Sequence, residues 1–435
     1  MKITIIGTGY VGLVSGACFA ELGHEVICLD INPKVIAQLK MAKAPFFEPD
    51  LNRLIEKNIL KKRLKFTTSY FTGCKNNVLF ICVDTPDDGA GSPDLKSLNS
   101  VLATLKDKIK NDAILVLKST LPIGTNKSIA ESMDKHFLSK NINIDVCSNP
   151  EFLKEGSAVK DFMHPDRIIL GTPNKFSKLL LTEIYKPLKL SSNSFFYMSV
   201  ESAELTKYAS NTFLATKISF MNEVAQIAEK TGANIHEVRA GMGADKRIGS
   251  HFLYAGLGFG GSCFQKDMKA LISFEKKNKI KNSIIAEALK INQNQVKLFL
   301  NKIKSNAGPN LKNKSFIIWG LSFKPNTDDI RDSIAIELIK LLSPNVKQLY
   351  LFDPKVTSDS LSCLNQYKNI QFLNTKYENF SSAHGLIICT EWDDFKSPKV
   401  QELKKLKDRI IFDGRNILDS KILKENNLSY IGIGI

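Results

Sequence analysis

The sequence has no C-x-x-C pair and no cluster of histidines. Its eight cysteines stand apart, at positions 18, 28, 74, 82, 147, 263, 363 and 389, several of them inside apolar strand-like runs. That scatter argues against a disulfide-stapled secreted domain and fits a reducing cytoplasm. The six histidines form no H-x-x-x-H pair and join no cysteine, so no metal is expected. No uninterrupted apolar stretch is long enough to cross a bilayer, and no membrane partner is expected. The first residues read as a strand entering a glycine loop, not as a signal peptide. There is no repeat of solenoid length and no low-complexity tail.

Acidic residues are in deficit, 44 against 60 lysines and arginines, for a net charge of +16. A basic excess can mark a nucleic-acid binder. Here the lysines are spread over the whole length, often paired on helix-like segments. No basic arm and no arginine-aromatic interleaving is present. Lysine-rich solvated faces are the simpler reading, and no nucleic acid is expected. A basic surface also steers anionic small ligands. With 435 residues, 43% of them hydrophobic, the chain has material for two or three domains.

What is there begins with glycine. Lys2 to Ile6 reads as a strand, followed by Gly7-Thr8-Gly9-Tyr10-Val11-Gly12 and a helical pattern through Leu22. A second strand, Glu25 to Leu29, ends at Asp30. A G-x-G-x-x-G after a strand and before a helix, with an acidic residue ending the next strand, is a dinucleotide-binding fingerprint. The glycines permit a tight turn and bring a pyrophosphate to the helix N-terminus. Asp30 accepts from ribose hydroxyls and repels a 2′-phosphate, so NAD is expected rather than NADP. Lys34 is near enough to reach the adenosine end, or is a plain surface lysine.

Alternation continues. Strands are expected at Val78 to Val83, Ala113 to Leu117, Ile144 to Ser148 and Asp166 to Gly171, the last closing this domain. Strands alternating with helices imply a parallel, doubly wound sheet with ligands at the carboxyl ends of its strands. Thr85 and Thr120 fall at such ends, as ligand contacts or as ordinary N-cap hydroxyls. Glu151 and Glu155, four apart, share one face if their segment is helical. They face solvent or the cofactor.

From about Val200 the pattern changes. Glu201 to Lys230 is a long helical stretch without proline or internal glycine, roughly 45 Å at ~1.5 Å per residue. It can link two domains and present a dimer face. Leu205, Phe213, Ile218, Met221, Val224 and Ile227 suggest that much of it is buried. Lys207 and Asn211 project together at i and i+4. Lys207 is either exposed on the open side or buried with a depressed pKa.

Gly258-Phe259-Gly260-Gly261-Ser262-Cys263-Phe264-Gln265-Lys266-Asp267 crowds three glycines ahead of one cysteine. Phe264, Met268, Leu271 and Ile272 follow at helical spacing. Cys263 is either a buried structural cysteine or a helix-starting thiolate favoured by the dipole and Lys266. A helix near Ser283 to Ser305 leads to a polar break, Asn306 to Lys314. A second α/β pattern then runs through Ser315 to Trp319, Gln348 to Phe352, Leu386 to Cys389 and Ile410 to Phe412. The fold expected is therefore α/β, two doubly wound (Rossmann-like) parallel-sheet domains joined by a long central helix. Its divisions are 1–198 for NAD, 199–305 for the central helical region with the cysteine loop, and 306–435 for the second nucleotide.

These stretches together resemble the nucleoside-diphosphate-sugar 6-dehydrogenases, most closely those acting on UDP-glucose. The resemblance covers essentially the whole chain. Its motifs run in order: the fingerprint from Gly7, Val83-Asp84-Thr85-Pro86, Lys118-Ser119-Thr120, Asn149 to Gly156, Lys207 with Asn211, Gly258 to Asp267, Phe323 to Asp329 with Arg331, and Asp413-Gly414-Arg415. The resemblance implies oxidation of the sugar C6 alcohol to a carboxylate with two NAD⁺ and one water. It also implies a homodimer or higher oligomer. Cys263 matches the nucleophile, Glu151 the residue that activates water, and Lys207 the group that stabilises the reacting oxygen. Asn211 and Asp267 match its supporting partners, and Thr120 a residue that positions the water or nicotinamide.

The same resemblance implies cofactor contacts from Gly7, Gly9, Val11, Gly12, Asp30, Lys34, Thr85, Thr120, Glu155, Lys266 and Arg331. It implies substrate contacts from Glu151, Phe152, Leu153, Lys154, Glu155, Lys207 and Asn211. Phe252, Leu253, Tyr254, Ala255, Gly256, Gly260, Lys324 and Arg415 complete that set, with Arg247 contributed across a dimer interface. Many bacterial members carry proline where this chain has Gln265; the neighbours match. Relatives acting on GDP-mannose or a UDP-N-acetylhexosamine are the first rivals. A non-catalytic NAD- or nucleotide-sugar-sensing module is the second, but it predicts loss of catalytic residues that are all present here.

Overall fold

The computed structural model describes residues 1–89, 91–308 and 310–435. Pro309, inside the polar break expected over 306–314, lies outside the described residues. Residues Met1–Ser210 and Asn211–Ile435 form two compact units.

Among its described residues the first unit carries eight strands: β1 (Lys2–Ile6), β2 (Glu25–Leu29), β3 (Leu64–Thr67), β4 (Val78–Ile81), β5 (Ala113–Leu117), β6 (Ile144–Ser148), β7 (Ile168–Gly171) and β8 (Phe195–Met198). Their order is β3-β2-β1-β4-β5-β6-β7-β8. β1 pairs in parallel with β2, Lys2 opposite Glu25 through Ile6 opposite Leu29, and with β4 on its other side. Strand order thus reverses at β1, and the loops after β1 and β4 diverge there to leave a crevice. One join is antiparallel, β6 to β7, through Ser148 and Gly171. The interior strands are mostly apolar because both faces are covered. Ile5, Phe80 and Val116 enter one core layer with Phe19. Their neighbours Ile6, Leu79, Ile81 and Leu115 enter the other. This is the two-residue alternation of a strand.

The second unit repeats the plan with β9 (Ser315–Trp319), β10 (Gln348–Phe352), β11 (Ile370–Phe372), β12 (Gly385–Ile388), β13 (Ile410–Asp413) and β14 (Ser429–Ile431). The order is β11-β10-β9-β12-β13-β14, every pair parallel. Trp319 at the end of β9 is fully buried and stacks on Phe395, centroids 4.9 Å apart.

Two expectations are corrected. The strand near 166–171 does not close the first sheet, because β8 lies beyond it as the edge. The central helix, Val200–Thr231, is less buried than its apolar content suggests. Met221 is buried, but Leu205, Phe213 and Ile227 are exposed, as is Phe220. The helix stops at Gly232, whose φ of +76° is a left-handed conformation that glycine adopts without strain. No helix among the described residues is long and apolar enough to cross a membrane.

Candidate active site

In the first unit the fingerprint forms the turn between β1 and the helix Tyr10–Glu21. Gly7 has φ +94°, and a side chain there would meet the Cys82 carbonyl at 2.9 Å. A Cβ on Gly12 would stand 2.0 Å from the Gly7 oxygen, so only glycine closes the turn. Asp30, just past β2, accepts from the Thr8 amide and hydroxyl, both at 2.8 Å, and from the Asn32 amide at 2.9 Å. The carboxylate is fixed beside the turn. Lys34, at the start of the helix Pro33–Lys40, is exposed.

Neither threonine is a helix cap. The helices after β4 and β5 start at Lys96 and Thr125, and their capping positions are Leu95 and Gly124. Thr85 instead donates its hydroxyl to the Thr120 carbonyl at 3.0 Å, tying the ends of the two strands. Thr120 and Lys207 share the lining of a cavity of about 10 Å³ with Asn126 and Glu204. That is room for about one water molecule.

The loop after β6 carries a buried polar network. Lys207 is buried, and its ammonium donates to the Glu151 carboxylate at 2.9 Å and to the Glu151 carbonyl at 2.6 Å. The other carboxylate oxygen accepts from the Leu153 amide at 2.7 Å. Burial raises the Glu151 carboxyl, but the Lys207 charge and hydrogen bond, the Leu153 amide and Lys118 outweigh it, and the net shift is downward. Glu151 is thus held as a carboxylate. Of the two readings of Lys207, the structure selects burial. It corrects the idea that Glu151 and Glu155 share a helical face. Residues 151–157 are irregular, and the next helix starts only at Ala158. The reason is local: Glu151 takes the Leu153 amide with its own side chain, between Pro150 and Gly156.

Phe152 is half-buried under the Arg167 guanidinium, 4.0 Å from the ring centroid, with the Lys207 ammonium at 5.2 Å. Leu153 and Glu155 are half-buried. Lys154 directs its ammonium to Asp161 at 3.0 Å. Lys118, which the sequence reading left without a role, proves buried at the end of β5. Its ammonium donates to the Asn149 side chain at 3.1 Å, and burial lowers its pKa to about 8. Asn149 is also held by Tyr185 at 2.5 Å and donates to the Ile169 carbonyl at 2.9 Å. The start of the Glu151 loop is therefore anchored.

In the second unit Cys263 is exposed and is the N-cap residue of the helix Phe264–Lys277. The buried-cysteine alternative is removed. Asp267, buried in the first turn, accepts from the Asn211 side chain at 2.7 Å. The glycine turn is tight for a steric reason. A Cβ on Gly260 would lie 2.4 Å from the Asp332 carbonyl, and one on Gly261 2.6 Å from the Phe323 ring.

The substrate loop is pinned by residues the sequence reading missed. Asn222 accepts from the Gly256 amide at 2.8 Å. Asn292 accepts from the Phe259 amide at 2.8 Å and donates to its carbonyl at 3.0 Å. Arg415, following β13, donates to the Gly258 carbonyl at 2.8 Å and to Cys389 at 2.7 Å. Leu253 and Ala255 are buried, while Tyr254 is exposed beneath the Arg239 guanidinium at 4.1 Å. Phe252 stands at φ +63°. Lys324 and Lys266 are half-buried. Arg247 and Arg331 are exposed, each paired with an aspartate two residues earlier, Asp245 and Asp329, at 2.6 Å. A signal for Asn222 existed: it lies eleven residues after Asn211, about three helical turns.

The NAD binding domain of the UDP-glucose/GDP-mannose dehydrogenase family matches residues 1–189, its central domain 201–294 and its UDP binding domain 317–420. The chain belongs to this family. The chain is similar to the UDP-glucose 6-dehydrogenase of Rickettsia conorii, 40% identical over all of this chain and 99% of that one. A Bacillus subtilis UDP-glucose 6-dehydrogenase is 38% identical over all of this chain and 98% of its own. Among solved structures, a UDP-glucose dehydrogenase from Pyrobaculum islandicum matches with a TM-score of 0.90 and 32% identity, covering 99% of this chain and 96% of that one. Within this dehydrogenase family, the fingerprint turn lies in the NAD binding domain and Arg415 in the UDP binding domain.

Proposed function

We infer that the protein oxidises UDP-glucose at C6 to UDP-glucuronate, RCH₂OH + 2 NAD⁺ + H₂O giving RCOO⁻ + 2 NADH + 3 H⁺. The three family domains and the UDP-glucose 6-dehydrogenase relatives support this reading. The turn fits the cofactor: Gly7 and Gly12 exclude side chains, and Asp30 is fixed at a strand end. Bound NAD supplies the hydride acceptor for each oxidation. Gly7, Gly9, Val11 and Gly12 would cradle it, Asp30 would take the ribose hydroxyls, and Lys34, Thr85, Glu155, Lys266 and Arg331 would complete its contacts.

Loss of a hydride and a proton from the alcohol leaves an aldehyde. The Cys263 thiolate adds to its carbon, a C–S bond forms, and the carbonyl oxygen becomes an alkoxide. Lys207 and Asn211 stabilise that oxygen. This adduct still carries a hydride, and its loss leaves a thioester. Glu151 takes a proton from water, the water adds, and the C–S bond breaks to release acid and thiolate. Asp267 supports Asn211, and Thr120 positions water or nicotinamide. The family resemblance assigns substrate contacts to residues 151–155 in the first unit and to residues 252–256, Gly260, Lys324 and Arg415 in the second.

The observation that carries the reading is the exposed Cys263 at the head of its helix. A two-electron dehydrogenase has no need of a nucleophilic thiol; a four-electron one does. The test is to assay UDP-glucose, GDP-mannose and a UDP-N-acetylhexosamine side by side with NAD⁺. Two NADH per uronate, with UDP-glucose preferred, is the expected result. A faster rate with either rival reassigns the substrate, and one NADH per sugar consumed, with the aldehyde as product and no uronate, removes the thioester.

We further propose the segments 1–198, 199–305 and 306–435 as cofactor, central and UDP-sugar parts, in a cytoplasmic homodimer or higher oligomer. Phe213, Phe220 and Ile227, spaced seven apart on the central helix, are 65%, 48% and 57% exposed. A seven-residue apolar seam suits pairing with a second copy. Arg247 would then serve the neighbouring subunit's substrate.

A further inference from the structure

Glu48 is buried in the loop that precedes the helix Leu51–Leu60. Among the described residues no basic side chain is paired with it; its hydrogen-bond partners are three backbone amides and a phenol. One oxygen accepts from the Ala158 amide at 2.7 Å and, more weakly, from the Val159 amide at 3.5 Å. The other accepts from the Gly156 amide at 2.7 Å and from the Tyr10 hydroxyl. The Gly156 amide also reaches the Tyr10 oxygen at 3.2 Å. Tyr10 stands inside the fingerprint, between Gly9 and Gly12, and packs on Phe46 with ring centroids 4.8 Å apart. Gly156 and Ala158 close the loop that carries Glu151 and Glu155. One carboxylate therefore joins two stretches more than a hundred residues apart in sequence.

A buried carboxylate is costly unless its bonds are satisfied, so its presence calls for a use. A carboxylate is acceptor-only, and four donors converge on this one. Glutamine has the same shape but turns an N–H toward one of those donors. Burial first, then the hydrogen bond to Glu48, raises the Tyr10 phenol, which stays a donor at working pH.

Resting on the function proposed above, we propose that Glu48 is a positioning residue that locks the fingerprint turn to the Glu151–Glu155 loop, so that NAD affinity depends on it. The same anchor that shapes the cofactor turn then also holds the end of the loop that carries the proposed water-activating carboxylate.

The test uses the full chain and isothermal titration with NAD⁺ and, separately, with UDP. Glu48→Gln is expected to raise the Kd for NAD⁺ on the order of tenfold, the scale of a charge-assisted hydrogen bond, and to leave UDP affinity unchanged. Tyr10→Phe keeps the carboxylate and its three amide bonds, and is expected to weaken NAD⁺ severalfold. It serves as the measurement if Glu48→Gln does not fold. The two substitutions act on one network, so the double variant should fall short of the product of the single effects. Unchanged NAD⁺ affinity in Glu48→Gln, an additive cycle, or an equal loss of UDP affinity would overturn the assignment. Failure of the unsubstituted chain to bind NAD⁺ would overturn the proposed function, and the assignment with it.

Discussion

Glu151→Gln separates oxidation from hydrolysis. Both hydride losses precede attack by water, so the variant should release close to two NADH per active site in a burst and then nearly stop. Loss of a general base slows a step by about 10²–10⁴-fold. The structure sets the structural cost. Glu151 and Lys207 are 9% and 6% exposed at the side chain and 2.9 Å apart. Removing one partner of a buried pair costs about 3–5 kcal/mol. Glutamine retains one acceptor oxygen, for either Lys207 or the Leu153 amide, so the lower end, about 3 kcal/mol, applies. A domain with about 5–15 kcal/mol of stability remains folded after that loss. The assay is a rapid-quench burst with mass spectrometry. The peptide holding Cys263 should carry the oxidised nucleotide-sugar, and Cys263→Ala should show neither adduct nor acid. Steady turnover without a burst, or an adduct on another of the eight cysteines, refutes the roles given to both residues.

Asp30→Asn keeps the shape of the turn and removes the charge that faces a 2′-phosphate. The NAD⁺ preference, measured as a ratio of kcat/KM values, should fall about tenfold to a hundredfold, and no change would clear Asp30 of the role. Lys118 has a folded pKa near 8, below its unfolded value, so the folded state binds fewer protons between pH 8 and about 10.5. Stability relative to Lys118→Met should therefore rise with pH across that window, by about 3 kcal/mol in full; a flat difference in denaturation midpoints would contradict it. Chains carrying Arg247→Ala and Cys263→Ala should recover activity when mixed and allowed to exchange subunits. No recovery after proven exchange counts against a shared site.

All ten interior strands of the two sheets are legible as apolar runs, β1, β2, β5, β6, β9 and β10 to the residue. The four the sequence does not announce, β3, β8, β11 and β14, are the four sheet edges. Interior strands are covered on both faces and are mostly apolar, whereas an edge strand has a partner on one side only. Leu64–Thr67 alternates with polar residues, and Ile370–Phe372 and Ser429–Ile431 have three residues each. The fingerprint and the cysteine turn are legible as short glycine motifs, although the contacts that forbid side chains there come from distant residues, Cys82 against Gly7, Asp332 against Gly260 and Phe323 against Gly261. The sequence alone therefore determined the fold class and the dinucleotide turn, while the structure chose between the two readings of Cys263. Tertiary structure alone decided the partners. Lys207 finds Glu151 and Asn211 finds Asp267 across 56 residues each, and Glu48 finds Gly156 across 108. Whether a lysine or a carboxylate is a solvated charge or half of a buried pair depends on what the folded chain brings against it. Spacing along the sequence carries no such information.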